Sequence, residues 1–447
     1  MDRSLSANSL DPIFDRLQRS CADDGPASAD RSWARQPVHT IYGGAHLFKA
    51  DTAAKLGGLA QSAFRKFAPD DETLTDVFGI SSKIVPAVYD RVAEKLSREP
   101  VEDLRIDFED GYGTRPEAEE DSDAVRSALE LAKAFEAGLL PPFTGIRVKG
   151  LTAESRIRAV RTLDLFLTAL VRATLGKLPR GFVITLPKVS SPAQVAAFAE
   201  ILDELEYTLK LEPKSLSLEI MVETPRALLA ADGRVALPAL IEAGGGRIRG
   251  AHFGPYDYTA SLGITAAEQR IEHPACDTAR RIMQLSLAGT GVWLADGPIN
   301  VIPIEPYRGT RLTPLEEAEN RAAVHRAWRI HYRGCRTALS QGFRQGWDLH
   351  PAQLPSRYSA VFAFIFEGVE AASKRLVNFV EKAAQATTVG SVFDDAATGQ
   401  GLLNFFERAL DCGAITPAEA AELTHLTMDE LRSGSFTTIC KARAANS

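Results

Sequence analysis

A chain of 447 residues with 45% hydrophobic and 24% charged residues has the balance of a globular protein, and is long enough for a large barrel plus an appended segment. Its formal net charge of -7, without any lysine- or arginine-rich run, withholds the basic footprint that nucleic-acid binding needs. The five cysteines (Cys21, Cys276, Cys335, Cys412, Cys440) are too scattered for a zinc or redox motif, Met1 to Arg35 is polar, and no apolar run approaches the roughly 20 residues of a membrane span, so a cytoplasmic protein is expected.

The first 35 or so residues, rich in Ser, Asp and Ala, are expected to form a mobile arm. From Val38 a unit repeats: a short β-rich apolar run, a break at Gly, Pro or charge, then a helical stretch. The candidate strands are Val38–Tyr42, Leu104–Phe108, Gly145–Val148, Phe182–Leu186, Ser217–Val222, Gly250–Phe253, Gly291–Leu294 and Gly346–Leu349. Helical segments such as Ala124–Ala137, Glu154–Ala173, Pro192–Leu209 and Pro225–Ala230 lie between them. Strands alternating with helices give a parallel sheet, and eight units suggest closure into a (β/α)8 barrel over residues 36–355. Residues 356–447 read as a helical C-terminal extension: Tyr358–Ala384, Leu402–Asp411 and Pro417–Leu423, the last opened by Thr416-Pro417-Ala418-Glu419 with a capping threonine before proline.

Reactive groups of such barrels gather at the C-terminal ends of the strands. Here the second strand runs Leu104-Arg105-Ile106-Asp107-Phe108-Glu109-Asp110-Gly111, and period two puts Asp107 and Glu109 on one face. The third carries Arg147, the fourth ends at Lys188, the fifth at Glu223-Thr224-Pro225 and the sixth at Gly254-Pro255-Tyr256-Asp257. Each has a plain structural reading: Asp110-Gly111 as a turn, Lys188 as a solvated loop residue, Pro225 as a helix opener. As a set, four carboxylates, an arginine and a lysine at successive strand ends are costly unless partnered. A hard cation, Mg²⁺ or Mn²⁺, with an anionic substrate is the partner these oxygens favour.

The segments Ile106-Asp107-Phe108-Glu109-Asp110, Leu186-Pro187-Lys188-Val189, Met221-Val222-Glu223-Thr224-Pro225-Arg226-Ala227 and Phe253-Gly254-Pro255-Tyr256-Asp257-Tyr258 resemble the citrate lyase β-subunit-like group of the HpcH/HpaI aldolase superfamily, which includes malyl-CoA lyases. Gly342-Phe343-Arg344-Gln345-Gly346-Trp347-Asp348-Leu349-His350-Pro351-Ala352-Gln353 resembles that group's Gly-rich run into His-Pro-x-Gln. The resemblance implies a carbon–carbon lyase acting on a small 2-keto or 3-hydroxy acid, free or as a coenzyme A thioester. It implies Mg²⁺ held by Glu223 and Asp257, and Arg147 on the substrate carboxylate and oxyanion. Lys188, Gly254 and Pro255 would line the substrate site, with Asp107 and Glu109 behind the metal and Arg147. It further implies a homo-oligomer in which Asp394 or Asp395 reaches a neighbouring subunit's site as acid/base.

Three departures stand out. The first strand lacks the group's usual arginine, and His39, His46 and Lys49 are the candidates to replace it. Residues 304–325 form an insertion after the seventh strand, and the stretch before the second strand is long. Two other readings share the barrel: a phosphoenolpyruvate-type enzyme, for which no phosphate-cradling glycine motif is found, and a non-catalytic metabolite binder. Lys188 as a Schiff-base nucleophile is made redundant by a metal site.

Overall fold

The computed structural model describes residues 11–12, 15, 35–381, 387–389, 392–394 and 396–445. Eight short strands are parallel and close on themselves: β1 (His39–Gly44), β2 (Asp103–Asp107), β3 (Phe143–Arg147), β4 (Phe182–Leu186), β5 (Ser217–Val222), β6 (Ile248–Phe253), β7 (Trp293–Pro298) and β8 (Gln345–Asp348). Closure is made by β1 on β8, with His39 opposite Gly346 and Thr40 opposite Trp347. The fold is a (β/α)8 barrel, as the alternation of elements anticipates.

Outward-facing strand residues such as Ile106, Ile146, Ile184, Leu218, Ile220 and Phe253 are fully buried against the surrounding helices. The inward positions are largely polar. Arg105 donates to Asp103 (2.8 Å) and Glu219 (3.1 Å), Thr40 donates to Asp103 (2.8 Å), and His252 Nε2 lies 3.2 Å from Glu219. Buried charges persist when paired and hydrogen-bonded, and here Arg105 pairs with Asp103 along its own strand and with Glu219 across the barrel.

Three helices, Thr52–Phe67, Asp71–Phe78 and Val85–Arg98, fill the long connection between β1 and β2. The expected insertion 304–325 is partly the first turns of a long helix, Pro314–Ser340, opened by a capping box between Thr313 and Glu316. Helix Leu354–Glu381 packs on Val85–Arg98 and Pro314–Ser340, so it completes the barrel's helical ring across the expected domain limit at 355. Beyond it come Ala396–Asp411, Pro417–Thr424, Met428–Arg432 and Phe436–Ala445. Thr416 and Glu419 form a reciprocal cap. Most of the expected N-terminal arm lies outside the described residues. Among the described residues no helix is long and apolar enough to cross a membrane.

Candidate active site

Period two carries the inward face of each strand to the barrel mouth, and there the strand-end charges meet. Arg147, at the end of β3, is 1% exposed. Its Nε donates to Asp107 Oδ1 (2.7 Å) and its Nη2 to Asp107 Oδ2 (2.6 Å). Asp107 also accepts from the backbone N–H groups of Glu109 (3.0 Å) and Gly111 (2.7 Å), so the turn after β2 is folded around the carboxylate that fixes Arg147. The Asp110-Gly111 turn and the charge cluster are therefore one feature.

The flat guanidinium is held against the ring of Tyr42 (4.7 Å to its centroid) and that of Trp347 (5.4 Å). The two rings stand 4.5 Å apart. Such contacts favour a desolvated arginine and hold its plane. The Tyr42 hydroxyl is 3.4 Å from His252 Nδ1, which ties the clamp to the polar barrel interior. Arg147 Nη1 has no hydrogen-bond partner, although Glu109 Oε2 lies 3.0 Å away.

Lys188 occupies the centre. Its Nζ lies 2.5 Å from Asp257 Oδ2, 3.3 Å from Glu109 Oε1, 3.7 Å from Glu223 Oε1 and 3.8 Å from Asp110 Oδ2. Its backbone N–H donates to Glu223 Oε1 (2.6 Å). Glu223 is buried and Asp257, in the first turn of helix Pro255–Ser261, is 44% exposed. Thr224 caps the turn after β5 and donates to Val189 O (2.7 Å), binding the β5 end to the β4 loop. Gly254 is glycine for a local reason: a Cβ there would lie 2.6 Å from Glu223 Cβ and 2.7 Å from its Oε2.

Burial pushes Glu223 up to about 8 and Glu109 up to about 7, outweighing the cations beside them. The cluster sets Asp107, Glu109, Asp110, Glu223 and Asp257 against only Arg147 and Lys188. Five carboxyl groups thus face two cations, and a further cation at the mouth would favour the ionised forms of Glu223 and Glu109 that burial opposes. Among the described residues no three His, Cys, Asp or Glu side chains stand together as a metal-binding group. Mg²⁺, however, is commonly held by one or two carboxylates with water and substrate oxygens, and Glu223 and Asp257 already share one cation, the Lys188 ammonium. The donor set fits a hard divalent ion.

A cavity of about 440 Å³ opens beside these groups, lined by Asp110, Glu223, Gly254, Pro255, Asp257 and Trp347 among others. A larger one, about 880 Å³, lies at the opposite end among Arg35, Lys95, Glu99 and Pro141, which precede the strands, and holds none of the strand-end groups.

The structure brings Asp107, Glu109, Arg147, Lys188, Glu223, Gly254, Pro255 and Asp257 together. His39 belongs elsewhere: it starts β1, at the closed end, where it is fully buried, accepts from the Glu102 backbone N–H (3.3 Å) and packs on Tyr358. It cannot replace an arginine at the mouth. His46 packs edge-on against Tyr112, and Lys49 is exposed. Asp395 lies outside the described residues, and Asp394 is described only as backbone in the short strand Val392–Asp394. His350 and Gln353 of the His-Pro-x-Gln run form a cap rather than a binding group, and the Gln353 amide donates to Ile299 O and Val301 O (3.0 Å each), fastening the loop after β7.

A family model described as a domain of unknown function (DUF6986) matches residues 27–439. The chain belongs to that family. No curated protein matches this DUF6986 chain. Among solved structures it is similar to a citrate lyase from Burkholderia xenovorans LB400, with 18% identity over 87% of this chain and 96% of that one and a TM-score of 0.55. Also similar are a Haloferax volcanii malate synthase (15% identity, 94% and 99% covered, TM-score 0.47) and CitE from Mycobacterium tuberculosis in complex with magnesium, acetoacetate and coenzyme A (17% identity, 84% and 98% covered, TM-score 0.45). The DUF6986 chain shares the barrel fold of that citrate lyase.

Proposed function

We propose that this DUF6986 protein is a Mg²⁺-dependent carbon–carbon lyase or aldolase acting on a small 2-keto or 3-hydroxy acid. The observation that carries the reading is the meeting, at one barrel mouth, of a buried arginine fixed by Asp107 and faced by Glu109 with a cluster of carboxyl groups that outnumbers its cations. The citrate lyase-like fold agrees with it. Glu223 and Asp257 would hold the ion, which when bound would stabilise an enolate by Lewis acidity.

The chain's own groups divide the remaining work. Arg147, held flat by Asp107, Tyr42 and Trp347, directs Nη1 at the place where a substrate carboxylate would bind. Glu109 now stands against that nitrogen, so a substrate carboxylate binds by taking its place. With its proton affinity raised to about 7 by burial, Glu109 is also suited to move a proton near neutral pH. Gly254 and Pro255 wall the cavity without adding charge. The experiment is a screen of small 2-keto and 3-hydroxy acids with Mg²⁺, with and without acyl-CoA, following cleavage and condensation. Turnover that needs Mg²⁺ and is lost in Arg147→Lys supports the reading. Ligand binding without turnover would favour the metabolite binder.

A further inference from the structure

We propose that Lys188 is a built-in counter-cation of this site, and that a divalent ion binds by displacing its ammonium. The inference rests on the metal site proposed above and adds how the chain holds that site together beforehand.

The Lys188 ammonium lies within 4 Å of carboxylates from three strand ends, Glu109 and Asp110 after β2, Glu223 after β5 and Asp257 after β6. Among the described residues no other cation lies within 4 Å of Glu223 or Asp257, so Lys188 alone stands against both. The backbone is shaped to put it there. Lys188 has φ +54, the left-handed region that glycine or asparagine fills at less cost, and its N–H is bound to the carboxylate its side chain balances. The start of its stem passes over Gly150, where a Cβ would come within 3.0 Å of Lys188 Cβ. A lysine in a strained conformation, with room cleared for its stem, is a specific arrangement for a positive charge. Arg147 cannot take over this role: its guanidinium is fixed on Asp107, and its Nη1 reaches only Glu109 (3.0 Å) and Asp110 (3.7 Å) on the same side of the cluster.

A doubly charged ion between Glu223 and Asp257 cannot share that space with an ammonium, because like charges at such separations repel strongly where water is scarce. The divalent ion wins on charge, and Lys188, 27% exposed, has a way out toward solvent. Released, it stands beside the substrate position with a free positive charge. Lys188 is thus a positioning residue: it keeps the carboxylates gathered, then yields to the metal.

Removing the competitor should tighten metal binding. In calorimetric titrations with MgCl₂, Lys188→Met and Lys188→Asn, the latter suited to the left-handed backbone, are expected to bind on the order of tenfold more tightly than the unaltered chain. Equal or weaker binding in folded variants overturns the proposal. A second measurement uses the unaltered chain: acetylation by acetic anhydride, read lysine by lysine by mass spectrometry, with and without Mg²⁺. Lys188 is expected to react faster with Mg²⁺ present while the exposed Lys177 does not change; an unchanged or slower Lys188 overturns it. Absence of Mg²⁺ binding in every form removes the metal site and this inference together, whereas equal binding in all forms removes only this inference.

Discussion

Arg147 and Asp107 are joined twice across neighbouring strands, Nε to Oδ1 at 2.7 Å and Nη2 to Oδ2 at 2.6 Å, with neither side chain in contact with bulk water. A buried pair of this kind adds little net stability, but losing one partner is costly because the other charge stays buried. Asp107→Asn is therefore expected to lower unfolding free energy by about 3–5 kcal/mol in urea titrations. The turn after β2 should loosen as well, since Asp107 accepts from Glu109 and Gly111. A loss below about 1 kcal/mol would show that the pair is dispensable.

Glu223 presents the opposite case, a buried carboxylate that burial opposes and only Lys188 relieves. Glu223→Gln should leave the fold intact at neutral pH and weaken Mg²⁺ binding by at least about tenfold, as should Asp257→Asn. Calorimetry on the two variants decides; unchanged affinity in both would remove them as ligands.

Gly254 gives a steric test of the same carboxylate without touching its charge. A methyl group there would overlap Glu223 Cβ and Oε2, both under 3 Å away. Gly254→Ala should cost about 1–3 kcal/mol of stability, as overpacking does, and should weaken Mg²⁺ binding because Glu223 must turn aside. Wild-type affinity in this variant would show that the Glu223 side chain tolerates the shift.

How much of this could be read from the sequence follows from what the sequence encodes locally. β4 and β5 match the periodicity reading residue for residue, and the strand-end charges are visible because period two forces Asp107 and Arg147 to the interior. Tyr42 and Trp347 escaped that reading. They sit on the first and last strands, adjacent only because the barrel closes, and nothing local says that these two aromatics flank one arginine. His39 is a candidate for the mouth by residue type alone; it starts β1, which runs on to Gly44, and therefore lies at the end opposite the strand-end charges. Lys188 is plain in sequence at the end of β4, but its central place depends on a left-handed backbone that no pattern of residue types announces.

The last prediction concerns the end of β8, which carries Trp347 onto Arg147. Asp348, the next residue, is buried and receives His331 Nε2 at 2.9 Å and Arg357 Nη2 at 2.7 Å. The other ring nitrogen of His331 lies 2.9 Å from Ser356 Oγ, whose proton is given to Gln353 O at 2.8 Å. Asp348 only accepts, so Nε2 donates to it, and with the Ser356 proton directed at Gln353 O the other ring nitrogen donates as well, an arrangement that favours the imidazolium. Burial alone would lower its proton affinity, but Cys335 and Asp348 outweigh that and raise it to about 9. A base whose folded value lies above its unfolded value stabilises fully below the latter and loses that contribution as pH rises through the former. The window runs from about 6.5 to about 9. His331→Gln, neutral at every pH, should be less stable than the unaltered chain at pH 6.5 in urea titrations, and the gap should shrink as pH is raised to about 10. Trp347 fluorescence should shift with it, since the pair anchors that strand end. A gap that stays constant or widens with pH would show His331 to be a neutral structural histidine.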